Sequence, residues 1–387
     1  VSGNEQAGRK VRMGMIGGGE GAFIGAVHRM AAELDGEIEL VCGAFSSDPE
    51  RSKRSGQTLY RLPPERCYPD YVTMFKMEAE RPAEQRMDFV TIATPNHVHF
   101  DAARAAIEAG FHVVCDKPVT HRLSDAQALQ SLLEGSDRLF CLTHNYTGYP
   151  MIREARSLIA SGALGAIRRA DCEYLQGWLA TAEEGTGNKQ AEWRTDPARS
   201  GAAGCFGDIG SHAQNLLEFV TGQTIASLCA DLNTWVAGRV LEDDGNVLIR
   251  LSDGARGVIS ASQVAVGEEN GLKLRVYGEK GGLTWSQMEP NSLRLTWPDR
   301  SVEIRRTGGP STTPAAADVT RLPAGHPEGY LEAFAVLYRD VARAVLAREA
   351  GEDFAPDVPG IVEGVRGMRF IEAVVESSAA GAAWLEI

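Results

Sequence analysis

The chain has no apolar run long enough to cross a bilayer, no CxxC pair among its seven cysteines, and too few basic residues to balance its acids. Each absence excludes something. A membrane-spanning helix needs about 20 apolar residues in succession. Scattered cysteines argue against a disulfide frame and against a cysteine-based metal knuckle. With 39 Lys and Arg against 52 Asp and Glu, the formal charge is −13. Neither nucleic acid nor an anionic membrane surface is then an expected partner. Residues 1–10 are polar and lack the apolar core of a secretory leader. Together these absences point to a reducing cytoplasm, structural thiols and no metal centre.

What is present is a globular composition, 43% hydrophobic and 24% charged, in a chain of 387 residues that calls for two domains. The first reads as alternating strands and helices. Val11–Ile16 is a short apolar strand pattern that runs into Gly17-Gly18-Gly19-Glu20-Gly21-Ala22-Phe23-Ile24-Gly25, and then into the helical stretch His28–Leu34. A strand, a glycine loop and a helix make a dinucleotide-binding turn. Glycines let the backbone approach a pyrophosphate seated at the positive helix N-terminus. Gly17, Gly19 and Gly25 are the candidate contacts. A second strand, Glu39–Phe45, ends on Ser46-Ser47-Asp48-Pro49-Glu50-Arg51, with no acid at its tip to take a ribose 2′-hydroxyl. Ser46 and Ser47 with Arg51 suit a 2′-phosphate, and Asp48 before Pro49 suits a helix cap. The cofactor is NAD or NADP, with the strand tip favouring NADP.

Met87–Thr94, His112–Cys115 and Leu139–Thr143 continue the strand pattern, with helices Asp101–Ala109 and Ser124–Leu133 between them. Strands alternating with helices predict a doubly wound parallel sheet. The strands end on Thr94-Pro95-Asn96, Asp116-Lys117-Pro118 and His144-Asn145-Tyr146, where an open parallel sheet binds its ligands. Lys117 is unusual, a cation where an apolar strand ends and Pro118 forces a turn.

After the helix Pro150–Ala160 the pattern changes. Ile167–Gln176, Ile225–Val236, Asn246–Leu251, Gly257–Val264, Leu272–Tyr277, Leu283–Ser286, Ser292–Trp297 and Val302–Arg305 read as successive strands, several joined by tight turns. That predicts a large, open, mainly antiparallel sheet in an α+β domain, with one face free for a partner subunit. A homodimer or homotetramer is the expected assembly. Thr307–Leu322 reads as a loop, His326–Tyr330 as the entry to a helix reaching about Glu349, and Ile361–Ala379 as a last helix. The domains are drawn as 8–146 for the dinucleotide and 147–387 for substrate and oligomerisation.

In the second half, Gly207–Gly222 opens as a helix whose first turn carries Asp208 and His212 at i, i+4, on one face. Histidine suits proton transfer near neutral pH. By composition the pair is equally a structural helix start, and no third ligand at a suitable spacing supports a metal. Tyr146, Gln176, Trp178, Trp193, Arg194 and His326, which combine directional polar groups with flat ring faces, are candidates for recognising a small polar ligand. The segment 180–192, polar with two glycines, reads as a lid.

The glycine loop, Ala93-Thr94-Pro95-Asn96, Asp116-Lys117-Pro118 and Gly207-Asp208-Ile209-Gly210-Ser211-His212, in this order, resemble the glucose–fructose oxidoreductase/inositol dehydrogenase (Gfo/Idh/MocA) family along essentially the whole chain. Tyr174–Trp178 and Trp193-Arg194 are most similar to its levoglucosan-type sugar dehydrogenases. The resemblance implies an NAD(P)-dependent oxidoreductase acting on a sugar, cyclitol or anhydrosugar. It makes Lys117, Asp208 and His212 the catalytic set, with His212 as base, Lys117 as donor to the reacting oxygen, and Asp208 orienting. Thr94, Pro95, Asn96 and Asp116 would serve the cofactor, and the C-terminal helices would pack back on its domain. Redox-neutral, NAD-dependent glycoside hydrolysis and non-enzymatic NAD(P) sensing are the competing functions. The chain departs from the family pattern in a longer glycine loop, in Asp rather than Glu at 116, and in Thr147 where many relatives carry Arg.

Overall fold

A computed structural model gives the structure of the chain and describes residues 9–387. Residues 1–8, which include most of the polar N-terminal stretch and the first residue of the expected nucleotide domain, lie outside the described residues. The described residues divide into two compact units. One holds those up to Thr143 together with Phe334–Val365; the other holds His144–Ala333 with Arg366–Ile387.

In the first unit, β1 (Val11–Gly17), α1 (Ile24–Glu33), β2 (Ile38–Ala44), α2 (Pro49–Leu59), α3 (Tyr71–Ala79), β3 (Phe89–Ala93), α4 (His99–Glu108), β4 (His112–Cys115), α5 (Leu123–Glu134) and β5 (Phe140–Leu142) follow in order. The five strands are parallel and lie in the order β2-β1-β3-β4-β5. Every residue of β3 and β4 is buried, as expected of parallel strands covered on both faces. The chain passes from β1 to β2 on one side and to β3 on the other. The crevice where that order reverses, beyond the strand ends, is where open α/β sheets bind ligands.

In the second unit, α6 (Pro150–Ala160), β6 (Ile167–Leu175), α7 (Lys189–Arg194), α8 (Pro197–Ser200) and α9 (Ser211–Thr221) precede the run of strands. These are β7 (Ile225–Asn233), β8 (Asp244–Leu251), β9 (Arg256–Ser262), β10 (Gly271–Gly278), β11 (Gly282–Ser286), β12 (Ser292–Thr296) and β13 (Glu303–Arg306). Then come α10 (Pro314–Val319), α11 (Tyr330–Ala350), which belongs to the first unit from Phe334 onward, α12 (Ile361–Ala379), which belongs to the second unit from Arg366 onward, and β14 (Leu385–Glu386). The strands form one nine-stranded sheet, β13-β12-β11-β10-β6-β9-β8-β7-β14. Its pairs are antiparallel except β6 with β9, which run parallel. A parallel pair needs a long crossover, and here the chain makes one through α7, α8, α9, β7 and β8. Along β8, Val247, Ile249 and Leu251 are buried while Leu248 is exposed. One face of that strand is therefore covered and the other open.

Two stretches differ from their sequence reading. Thr307–Leu322 is not all loop: Pro-Ala-Ala-Ala-Asp-Val forms α10, with proline at its first turn and alanines favouring helix. The buried Glu154 carboxylate fixes its start, accepting from Thr313 N at 2.7 Å and Thr313 Oγ1 at 2.6 Å. The helix carrying Asp208 and His212 opens as a wide π-type turn, Phe206–Gly210, before α9. Gly207 and Gly210 bring no side chain into that turn, and the buried Glu242 accepts from Gly204 N at 2.9 Å and Phe206 N at 3.0 Å. Among the described residues no helix is long and apolar enough to cross a membrane.

Candidate functional site

The glycine loop after β1 is tightly held. Gly17 and Gly18 have φ of +83° and +74°, a region side chains disfavour. A Cβ at Gly19 would lie 2.4 Å from Phe45 O, and one at Gly25 would lie 2.2 Å from Gly18 Cα. Gly25, three residues before His28 on α1, therefore provides the close approach of helix and loop. Gly19 N donates to Phe45 O at 3.0 Å, Glu20 N to Ser55 Oγ at 3.1 Å, and the Tyr60 hydroxyl to Gly18 O.

At the tip of β2, Asp48 caps α2 by accepting from Arg51 N at 2.6 Å, so its carboxylate is committed to the helix. Arg51 Nε donates to Ser46 Oγ at 2.9 Å, placing a cation beside that hydroxyl, and Ser47 is exposed. Beyond β3, Asn96 is buried and Thr94 Oγ1 is buried without a hydrogen-bond partner. His99 is fully buried, with Nδ1 2.8 Å from Pro118 O and Nε2 2.9 Å from Thr94 O, so it bridges the ends of β3 and β4. Burial pulls its pKa below the ordinary histidine value, against the opposing pull of Asp116 and the two carbonyls.

Asp116 and Lys117 stand at the end of β4, and the Lys117–Pro118 peptide is cis. Asp116 Oδ1 accepts from Lys117 N at 3.0 Å and from Thr143 Oγ1 at 2.8 Å, while Oδ2 lies 3.7 Å from His28 Nε2. Burial opposes its charge, but His28, Lys117 and Thr143 prevail and hold the carboxyl well below the usual range. A cradle that a Cβ would fill and the partnerless hydroxyl of Thr94 both fit a dinucleotide. Loop amides and the α1 N-terminus would take the pyrophosphate, Ser46 and Arg51 the ribose, and Thr94–Asn96 the nicotinamide end.

The second unit gathers most of the remaining candidates. Asp208 Oδ2 accepts from Arg194 Nε at 2.8 Å and from Gln263 Nε2 at 2.9 Å. The Arg194 guanidinium lies 4.2 Å from the Trp193 ring centroid and 5.9 Å from that of Trp178, so both rings flank a cation. His212 is buried with its ring edge-on to Tyr146 at 4.8 Å and to His144 at 5.3 Å. Tyr146 OH meets Tyr174 OH at 2.6 Å, and Asn270 Oδ1 accepts from Tyr174 OH at 2.6 Å and Gln176 Nε2 at 2.7 Å. Trp178 Nε1 donates to Gln176 Oε1 at 3.0 Å, which completes a continuous polar chain. Asn145 Nδ2, Gln214 Oε1 and Asn215 Oδ1 are buried without protein hydrogen-bond partners. Such atoms ask for a ligand or water.

His326 stays apart. It is exposed, its Nδ1 lies 3.2 Å from the nearby Pro323 O, and α11 begins later, at Tyr330. The expected lid is fastened in its first half. The half-buried Arg239 donates to Leu179 O at 2.7 Å, Thr181 O at 2.8 Å and Glu184 Oε1 at 2.9 Å. Gln263, Asn270 and Glu242 were not singled out from sequence, because each sits in or beside a strand where its neighbours carry no motif, and Tyr174 was named only within the Tyr174–Trp178 stretch, with no site role. Among the described residues no group of His, Cys, Asp or Glu could hold a metal.

A parallel sheet with a glycine loop at its switch point defines a nucleotide-binding protein, and comparison with known proteins makes it an oxidoreductase. Residues 11–144 match an oxidoreductase family with an NAD-binding Rossmann fold, and residues 152–284 match the GFO/IDH/MocA C-terminal domain. The oxidoreductase YfiI of Bacillus subtilis is 32% identical over 100% of this chain and 99% of its own length. An inositol dehydrogenase homologue of Azotobacter vinelandii, solved with NAD+, is 37% identical with a TM-score of 0.93 over 98% of both chains. The same homologue with NADH and myo-inositol gives 36% and 0.89 over 98% of both chains. Levoglucosan dehydrogenase of Pseudarthrobacter phenanthrenivorans is 26% identical over 56% of this chain and 60% of its own. The chain belongs to the GFO/IDH/MocA family of oxidoreductases, and its first unit is an NAD-binding Rossmann domain.

Proposed function

We propose that the protein exchanges hydride between a nicotinamide cofactor and a hydroxyl-bearing carbon of a sugar, cyclitol or anhydrosugar. The observation that carries this reading is the buried His212 imidazole, set beside Tyr146 and Tyr174 in a unit rich in polyol-matching groups. The nicotinamide supplies the hydride acceptor when bound. His212 takes the hydroxyl proton, and Lys117 donates a hydrogen bond to the oxygen as charge develops there. Asp208, fixed by Arg194 and Gln263, orients the substrate. Lys117 belongs to one unit and Asp208 and His212 to the other, so their action on a single oxygen is part of the proposal. Tyr146, Gln176, Trp178, Trp193 and Arg194 serve recognition, and the partnerless Asn145 Nδ2 beside Tyr146 in sequence is a further polar group for a polyol. Inositol and levoglucosan dehydrogenases among the relatives support this substrate class.

The tip of β2 favours NADP alongside NAD, because Asp48 is spent on capping and Arg51 stands beside Ser46. We place the protein in the cytoplasm as a homodimer or homotetramer joined through the open face of the nine-stranded sheet, which light scattering at micromolar concentration would check.

The test is a panel of sugars, cyclitols and anhydrosugars with each oxidised cofactor, followed by absorbance of the reduced nicotinamide. Reduced cofactor formed in proportion to substrate is the expected result. Redox-neutral cleavage of a glycoside would replace this reading with hydrolysis, and cofactor binding without turnover would replace it with sensing.

A further inference from the structure

The turn carrying Lys117 is braced by groups that arrive from far along the chain. His28 is fully buried on α1. Its Nδ1 lies 2.7 Å from Tyr338 OH, and that hydroxyl lies 3.1 Å from Thr91 Oγ1 on β3. Its Nε2, buried and without a closer hydrogen-bond partner, faces Asp116 Oδ2 at 3.7 Å. Phe334 and Tyr338 stand edge-on to the imidazole, with centroids at 5.2 and 6.0 Å, and fix its plane.

With the imidazole neutral, these contacts run in one direction. A nitrogen facing a carboxylate carries its proton, so Nε2–H points at Asp116 and Nδ1 is the acceptor. Tyr338 then donates to Nδ1, and its oxygen accepts from Thr91. The chain Thr91–Tyr338–His28–Asp116 ends on the carboxylate that also receives the Lys117 backbone N–H. Partners of this kind fix a histidine's tautomer and orientation in metal and triad sites.

We propose that His28, with Tyr338 and Thr91 behind it, is a positioning residue for Lys117, coupling the helix that follows the glycine loop to the turn that presents the lysine. His28 touches neither the reacting oxygen nor the lysine side chain in this assignment; it acts through Asp116. The inference deepens the functional reading above and rests on it for the role of Lys117.

The test compares His28→Gln, His28→Asn and Tyr338→Phe with the unsubstituted protein. In glutamine the amide nitrogen reaches about as far as Nε2, whereas in asparagine it does not. Two readouts are used. One is the rate at which acetic anhydride acetylates Lys117 in the cofactor-free protein, followed by peptide mass spectrometry. The other is kcat and KM for the best polyol from the panel, with NADH affinity measured by fluorescence. His28→Asn and Tyr338→Phe should label Lys117 at least about threefold faster, on the scale of one neutral hydrogen bond. Their kcat should fall about tenfold, short of the about 10²–10³ expected on losing a charge-stabilising donor outright. KM and NADH affinity should hold, and His28→Gln should restore both labelling and kcat. If His28→Asn does not fold, Tyr338→Phe, which removes a single oxygen, carries the test. Wild-type labelling and kcat in folded Tyr338→Phe would overturn the proposal, as would equal losses in the Gln and Asn variants tracking a lowered Tm. If the unsubstituted protein oxidises no polyol, the functional reading fails, while the labelling comparison still decides whether the brace exists.

Discussion

Replacing Gly25 by alanine tests how the nucleotide loop is built. The new Cβ would stand 2.2 Å from Gly18 Cα and 3.2 Å from Gly18 C and O. Carbon atoms in contact sit about 3.5 Å apart or more, so α1 and the loop must separate by ~1.3 Å. No side chain can rotate out of the way, because both partners are backbone. Overpacking of this kind costs ~1–3 kcal/mol of stability. The loop is anchored by Gly19 N to Phe45 O and by Tyr60 to Gly18 O, so its displacement moves the remaining loop amides that would take a pyrophosphate. Losing one hydrogen bond to a charged group costs ~1.5–3 kcal/mol, and each ~1.4 kcal/mol is tenfold in affinity. Gly25→Ala should therefore weaken NADH binding at least about tenfold, read by fluorescence titration beside a denaturant curve. Gly110→Ala is the control. Gly110 has φ +85° with open space around its Cβ position, so it should lose ~1–2 kcal/mol of stability with NADH affinity unchanged. Wild-type NADH affinity in Gly25→Ala would refute the reasoning, and so would equal weakening in the control.

Lys117→Ala and His212→Ala should each lower kcat by at least about 10² while NADH affinity stays near normal, and the double variant should fall well short of the product of the two losses. The pH-dependent rise in oxidation rate should vanish in His212→Ala. Arg51→Ala should weaken NADP binding more than NAD binding in paired titrations; a strong NAD preference unchanged by the substitution would remove the NADP reading. His112 gives a stability prediction. Burial first, then Arg138 and Arg348, push its pKa down to about 4. Between about pH 4 and 6.5 the unfolded chain therefore binds a proton that the folded chain refuses, so stability falls as pH falls, by ~3 kcal/mol across that window. His112→Asn, which retains an acceptor for Leu139 N, should flatten that slope in denaturant midpoints measured against pH.

What could be read from the sequence was whatever lay close along the chain. β1, the glycine loop and α1 are contiguous, and a strand reversing into a helix through glycines has few other uses. β4 and the Lys117 turn are legible for the same reason: an apolar run, then Asp-Lys-Pro, which cannot continue it. Helix α10 was missed because six residues offer too short a window for periodicity, and its start depends on Glu154, 159 positions away from Thr313. The wide turn at Phe206–Gly210 was missed because an i, i+4 spacing presumes a regular helix, while the buried Glu242 that holds the turn comes 36 positions after Phe206. His28, Thr91 and Tyr338 are the sharpest case. Each reads by itself as an ordinary core or strand residue, since His28 and Tyr338 are 310 positions apart and Thr91 and Tyr338 are 247. No local pattern can report a hydrogen bond across that separation. The apolar pattern of α11 goes only part of the way: burying Phe334, Leu337, Val341 and Val345 carries Tyr338 into the interior with them. Periodicity thus places the helix, and the helix delivers a hydroxyl whose purpose appears only when the elements it joins are seen together.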